Sequence, residues 1–268
     1  MKNRKLLLLT CSSILLISSV TFSSSKFNSA ALAQQSITQL SETELKKLYE
    51  AYNQGIAYYQ LRKYQEAITS FNQAIKIKPD FAEAYNNRGN AYDDLGKQQE
   101  AIADFNQAIK IKPNFAEAYY NRGITYRRLG QYQKAIEDYS QVIKIQPNYA
   151  PAFNNRGLSY YQLGKYQEAI TDYNQAIQIN NNYQFYCNRG SAYMKLQQYQ
   201  EAIADFNQTT KINPNDADAY YKRSFAYYKL GQKQSAIQDM QKAAQLFQQQ
   251  GDIANYQQSQ EILKNLQN

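Results

Sequence analysis

Two patterns of apolar residues divide the chain. From Leu6 to Val20 they run almost unbroken among serines, behind the basic Lys2, Arg4 and Lys5, and Ala31, Leu32 and Ala33 set small residues before Gln34. That order predicts a secretory signal over residues 1–33, cleaved after Ala33. The fifteen residues from Leu6 to Val20 fall short of the ~20 that cross a bilayer, so membrane contact follows only if the segment is retained as an anchor. A lipoprotein reading of Leu8-Leu9-Thr10-Cys11 is disfavoured by the threonine and by the short apolar run before it. Beyond residue 40 the apolar positions return every three or four residues, as on one face of a helix. Between Ala82 and Phe115, Tyr85, Arg88, Gly89 and Tyr92 share such a spacing, Gly96 interrupts it, and Ala101, Phe105 and Ala108 resume it before Pro113. Two antiparallel helices joined at Gly96 are predicted.

The pattern repeats. Gly55, Gly89, Gly123, Gly157 and Gly190, with Ser224 in the next place, lie 34, 34, 34, 33 and 34 residues apart. Such a period marks a solenoid, whose single hairpins cannot bury their own apolar faces and are stable only when stacked. Six units follow: 48–81, 82–115, 116–149, 150–182, 183–216 and 217–247. Residues 34–47 form a linker and the start of the first helix, with Ser41-Glu42-Thr43-Glu44 as a capping box. Residues 248–268 carry Ile253, Tyr256, Ile262, Leu263 and Leu266 and are assigned as a capping helix.

At Tyr85, Gly89, Tyr92, Gly96, Ala101, Phe105, Ala108 and Pro113 the second unit resembles the tetratricopeptide repeat family, with tyrosine or phenylalanine where that family often has tryptophan. The resemblance covers 48–247 and implies an all-α, right-handed superhelical solenoid with a continuous inner groove. Departures are local: Ala51 replaces an aromatic, Arg62 and Gln197 replace the turn glycine, Asn181 stands where proline is usual, and Ser224 replaces the packing glycine. The tyrosine- and glutamine-rich repeats also resemble those of exported bacterial, and in particular cyanobacterial, proteins. The expected address set by the signal is the periplasm or extracellular space, or the thylakoid lumen if the chain is cyanobacterial.

Composition narrows the chemistry. The chain has 26 tyrosines, no tryptophan and no histidine, which removes the commonest general base and metal ligand. Cys11 leaves with the signal, so Cys187 has no intramolecular partner. Flanks of 14 and 21 residues outside the repeats leave no room for a catalytic domain of ~50 residues or more. No catalytic residue, metal or cofactor is expected. Loss of Lys2, Arg4, Lys5 and Lys26 lowers 30 basic residues to 26 against 22 acids, so a net charge of +8 becomes +4. Half of the excess that might suggest nucleic acid belongs to targeting.

A ladder of Arg88, Arg122, Arg156, Arg189 and Arg223 revives that suggestion. Sixteen residues after each stands an aspartate: Asp104, Asp138, Asp172, Asp205 and Asp239. The first unit has Gln54 and Ser70 in these two places, so both charges are absent together, as ion pairing within a hairpin requires. Nucleic acid is therefore not the expected partner.

Positions two, five, six, nine, twelve and thirteen of each unit share the opposite side of the first helix. Position six holds Asn53, Asn87, Asn121, Asn155 and Asn188, then Lys222. Amides that present both donors and acceptors suit an extended peptide backbone, and the family resemblance implies such a role; asparagine as an ordinary solvated residue is the other reading. Beside the ladder lie Tyr52, Ile56 and Tyr59, then Tyr120, Ile124, Leu158 and Tyr161, then Tyr221, Phe225 and Tyr228. They either line a binding surface or pack on neighbouring helices. Charge is graded from Glu83, Asp93, Asp94 and Glu117 to Arg127, Arg128, Lys195, Lys222 and Lys229. The carboxylate clamp of some relatives is missing, since position five holds Tyr52, Asn86, Tyr120, Asn154, Cys187 and Tyr221 and position two has no basic residue. The expected partner is a protein or peptide, with self-association as an alternative.

Overall fold

A computed structural model describes residues 40–267, so the expected signal at 1–33 lies outside the described residues. Residues from Glu42 onward form one compact unit. Its helices are α1 (Glu42–Gln60), α2 (Tyr64–Ile77), α3 (Ala82–Asp94), α4 (Gln98–Ile111), α5 (Ala116–Arg128), α6 (Tyr132–Ile145) and α7 (Ala150–Gln162). They continue as α8 (Tyr166–Ile179), α9 (Tyr183–Lys195), α10 (Tyr199–Ile212), α11 (Ala217–Lys229), α12 (Lys233–Gln249) and α13 (Ile253–Gln267). No strand occurs among the described residues. The last unit is longer than its expected bounds of 217–247, because α12 runs on to Gln249. The cap itself begins at Ile253, preceded by Asp252, whose Oδ1 accepts from the Asn255 backbone N–H at 3.1 Å.

Local signals set the turns. Each odd helix up to α11 ends one or two residues before a left-handed residue, supplied by Gly96, Gly130, Gly164 and Gly231 at φ of 72–78°. Arg62 and Gln197 hold the same conformation at φ 59° and 61°, a strained choice for a residue with a Cβ. Helices α2, α4, α6, α8 and α10 end at a residue with φ between −127° and −148°, and after all but α8 a proline follows, at 79, 113, 147 and 214, which favours that conformation. Most helices lack a side-chain N-cap, as at Lys97 and Phe115, so their stability comes from the apolar face that each buries.

Inside each of the first five hairpins a glycine meets a ring. A Cβ added at Gly123 would lie 2.8 Å from Tyr139 Cε1, and one at Gly89 would lie 2.7 Å from Phe105 Cε1. The absent side chain thus lets the two helices close around an aromatic that is fully buried. In the sixth unit the corresponding pair is Ser224 and Met240, where an unbranched chain replaces the ring. Every helix packs on its neighbours in sequence, and the odd helices also touch the odd helix of the next unit, contacts that the even helices largely lack. Closer spacing on the odd side bends the stack that way, so odd helices line its inner face. At the end, α13 covers the last hairpin through Leu263 and Leu266 on Met240 and Ala244, with Tyr256 against Leu246 and Phe247.

Candidate binding groove

Two rows of polar contacts join successive hairpins. In the first, each arginine of the ladder binds its aspartate with two nitrogens: Arg122 Nε lies 2.9 Å and Nη2 2.6 Å from the Asp138 carboxylate. The same fork joins Arg88 to Asp104, Arg156 to Asp172, Arg189 to Asp205 and Arg223 to Asp239. The pairs are largely buried, the Arg122 and Asp138 side chains being 18% and 5% exposed. Nη1 then reaches back to the preceding hairpin: Arg88 to Asn72, Arg122 to Asn106, Arg156 to Ser140, Arg189 to Asn174 and Arg223 to Asn207. Sequence reasoning found the aspartate and missed this third contact, although Asn72 precedes Arg88 by the same sixteen residues that separate Arg88 from Asp104. Aromatic faces complete the cage, with Arg88 Cζ 5.2 Å from the Tyr85 centroid and 5.9 Å from that of Tyr92. Rings also flank Arg122, Arg156, Arg189 and Arg223, which accounts for part of the tyrosine content.

The second row lies on the groove side and corrects the expectation that the position-six amides face solvent. Asn87 and Asn121 are buried, Asn155 and Asn188 are half-buried, and only Asn53 is exposed. Each amide donates to position five of the preceding unit: Asn87 to the Tyr52 hydroxyl at 2.8 Å, Asn121 to Asn86 Oδ1 at 3.0 Å, Asn155 to the Tyr120 hydroxyl at 2.9 Å and Asn188 to Asn154 Oδ1 at 2.8 Å. Lys222 closes the series with Nζ 3.9 Å from Cys187 Sγ. Asn53 is the exception because no hairpin precedes it among the described residues. One of the two amide hydrogens of each of these four asparagines is therefore spent on the scaffold, and the Asn87 and Asn155 carbonyls accept in turn from Asn86 and Asn154.

Position five is likewise structural rather than open. Tyr52 packs on Phe71 and Phe81, Tyr120 on Tyr139 and Tyr149, and Tyr221 on Phe225 and Phe247. Burial pushes the Tyr52 and Tyr120 phenols well above their ordinary pKa. The remaining apolar groove residues stay partly accessible: Ile56, Ile124, Leu158 and Phe225 at position nine, Tyr59 and Tyr161 at position twelve, with Tyr228 exposed. Tyr59 donates to Asp94 Oδ2 at 2.5 Å, and the Tyr161 ring meets Tyr166.

The graded charge is altered by pairing. Asp93 binds Arg128 at 2.5 Å, Glu83 binds Lys112 at 3.0 Å, and Glu117 accepts from Asn86 at 3.1 Å, which mutes the acidic end. Lys195, Lys222 and Lys229 form no ion pair among the described residues. Arg127 is half-buried, with its Nε enclosed and lacking a hydrogen-bond partner. Between the fourth, fifth and sixth units the groove deepens into a cavity of about 320 Å³ lined by Leu158, Tyr161, Met194, Lys195, Lys222 and Phe225, among others, and by Tyr173 from α8. Sequence reasoning missed Tyr173. Its signal was a hydroxyl added at a core position that is phenylalanine in three other units, Phe71, Phe105 and Phe206. Cys187, beside this cavity, has its thiol pushed up to about 11 by burial, with Lys222 acting against the shift.

Models described as tetratricopeptide repeat match residues 116–149, 150–183 and 217–249, and one described as TPR repeat matches 55–96, 89–129 and 190–231. No curated protein sequence matches the chain. Among solved structures, YrrB, described as a TPR protein with an unusual peptide-binding site, is similar with a TM-score of 0.60 at 21% identity, over 71% of this chain and 97% of its own. Pseudomonas aeruginosa pilF reaches 0.69 at 16% identity over 82% and 99% of the two chains. A tetratricopeptide repeat protein of Parabacteroides merdae reaches 0.64 at 21% identity over 83% and 100%. At these identities the likeness is one of fold.

Proposed function

Because the chain belongs to the tetratricopeptide repeat family, whose matches span residues 55–183 and 190–249, we propose that it binds an extended segment of another protein, non-covalently, along the inner face of its odd helices. The observation that carries this reading is the row of partly accessible apolar and aromatic side chains at positions nine and twelve. They stay open although the polar positions beside them are consumed by contacts between hairpins. Apolar residues held on a rigid concave surface mark sites of association. The peptide-binding site ascribed to YrrB supports the reading by analogy of fold. The arginine ladder gives no support to nucleic acid, since its guanidinium groups are committed to aspartate, asparagine or serine, and to aromatic faces.

The expected signal places this binding outside the cytoplasm, where the scaffold assembles or positions an envelope or secreted complex. A photo-crosslinking residue at Ile124 or Tyr59, in the groove, should capture one partner polypeptide in cells. The same residue at Glu137, exposed on α6, should capture none. Equal capture from both faces would refute groove binding, and recovery of the protein with residues 1–33 intact in the cytoplasm would refute export.

A further inference from the structure

The cavity between the fourth and sixth units is built for one kind of group, and we propose that it receives a carboxylate carried on an aliphatic stem, contributed by the segment that the groove binds. This inference rests on the groove-binding reading and names the chemistry of one place within it. Leu158, Met194 and Phe225 supply apolar wall, which favours the stem. The charges on the lining are Lys195 and Lys222, and no carboxylate lines it. Neither lysine forms an ion pair among the described residues, and Lys222 has only the weakly accepting sulfur of Cys187 within reach. Asp216 and Asp218 act on Cys187 electrostatically from the start of α11, but neither lines the cavity.

Tyr173 is the second and independent observation. The residue is fully buried, and its hydroxyl has no hydrogen-bond partner. Tyr173 nevertheless lines the cavity, and Tyr161, Asp172, Arg127 and Cys187 all act on its phenol electrostatically. A buried hydroxyl without a partner is a cost that phenylalanine, present at the same place in the first, second and fifth units, would avoid. A carboxylate oxygen removes the cost by accepting its proton while the ammonium groups of Lys195 and Lys222 compensate the charge. The clamp of some relatives shares only the basic residue at position six, here Lys222; the phenol at the floor and Lys195 at position thirteen stand outside it, and its position-five lysine is missing.

Hexanoate is the simplest probe, with hexanol and hexylamine as its uncharged and cationic counterparts. The full chain labelled with 13C-methyl methionine carries one reporter on the cavity wall, Met194, and another fully buried in the last hairpin, Met240. Hexanoate should shift the Met194 methyl saturably and the Met240 methyl far less, while hexylamine leaves both in place. Tyr173→Phe, safe for folding by the precedent of Phe105, should weaken hexanoate about ten- to hundredfold, the worth of one hydrogen bond to a charged group. Lys222→Gln should weaken it to a similar degree. Two peptides distinguish the source of the carboxylate, one amidated with a single internal glutamate, the other with its C-terminus as the sole carboxylate. Hexanoate affinity unchanged by both substitutions, or a Met194 methyl that responds equally to hexylamine, overturns the inference. Crosslinking from Ile124 and Tyr59 is read outside the cavity, so its loss refutes groove binding without touching the carboxylate result.

Discussion

The two rows of contacts that join the hairpins are built on opposite principles. In the arginine row every junction uses the same guanidinium, the same aspartate and a short polar acceptor on the hairpin before. In the groove-side row the donor is asparagine four times, but its acceptor alternates from Tyr52 to Asn86 to Tyr120 to Asn154, and the last junction pairs Lys222 with Cys187. Uniform chemistry on one side repeats the same contact at each junction. Varied chemistry on the other changes what the groove presents from unit to unit. The first row is scaffold, and the second is scaffold with a surface on which specificity is written.

If that division is right, breaking the arginine row should cost most. Arg122→Ala leaves Asp138 buried and unpaired, so urea denaturation should show a loss of about 3–5 kcal/mol. A loss below about 1 kcal/mol would mean that the row is ornament, since substitutions without a structural role stay near that size. Replacing the whole pair by apolar residues should be far milder, because buried ion pairs cost much to break and contribute little net.

Both rows share α5, and Gly123 controls how closely that helix approaches α6. Gly123→Ala drives a methyl to 2.8 Å from Tyr139 and should destabilise by about 1–3 kcal/mol, the usual cost of overpacking. Loss of the Arg122 contribution should accompany it. Additivity between Gly123→Ala and Arg122→Ala in a double-mutant cycle would show instead that the hairpin spacing does not set the pair.

The groove-side row should respond more weakly. Asn121→Ala removes one hydrogen bond and leaves Asn86 Oδ1 without it, a loss of about 0.5–1.5 kcal/mol by thermal or chemical melting. Asn53→Ala changes an exposed amide with no partner hairpin before it among the described residues and should stay within about 0.5 kcal/mol of the parent. Equal effects at the two asparagines would dissolve the account of the ladder as a contact between hairpins.

Cys187 marks the smallest effect, one of rate alone. A thiol pushed up to about 11 by burial is almost wholly protonated near neutrality, so iodoacetamide should alkylate it far more slowly than a free cysteine and accelerate only as pH rises toward that value. Lys222→Ala removes a charge that favours the thiolate, so alkylation should slow further at a given pH. Rapid modification near neutral pH would show the thiol to be open rather than enclosed beside the cavity.

The hairpin was legible in the sequence because everything that makes it is local. Glycines set 34 or 33 residues apart, the turn glycine at 96 and the helix stop at Pro113 act within one unit, and helical geometry converts their spacing directly into contacts. Arg88 and Asp104 could be paired for the same reason, since Gln54 and Ser70 lose both charges together in the first unit. What lies between hairpins was not legible. Whether Asn121 points its amide at solvent or at Asn86 depends on the angle between two units, and that angle is the sum of many side-chain contacts rather than the property of any one residue. The same angle decides that Tyr52 and Tyr120 fill the stack while Leu158 and Tyr161 remain at its surface. It also places the hydroxyl of Tyr173, one atom beyond phenylalanine, at a cavity assembled from three units. Sequence by itself determined the repeating unit, its helices and its internal ion pair, because these follow from spacing along one chain segment; tertiary structure decided which polar groups are spent and which remain, because that follows from how separately formed hairpins come to rest on one another.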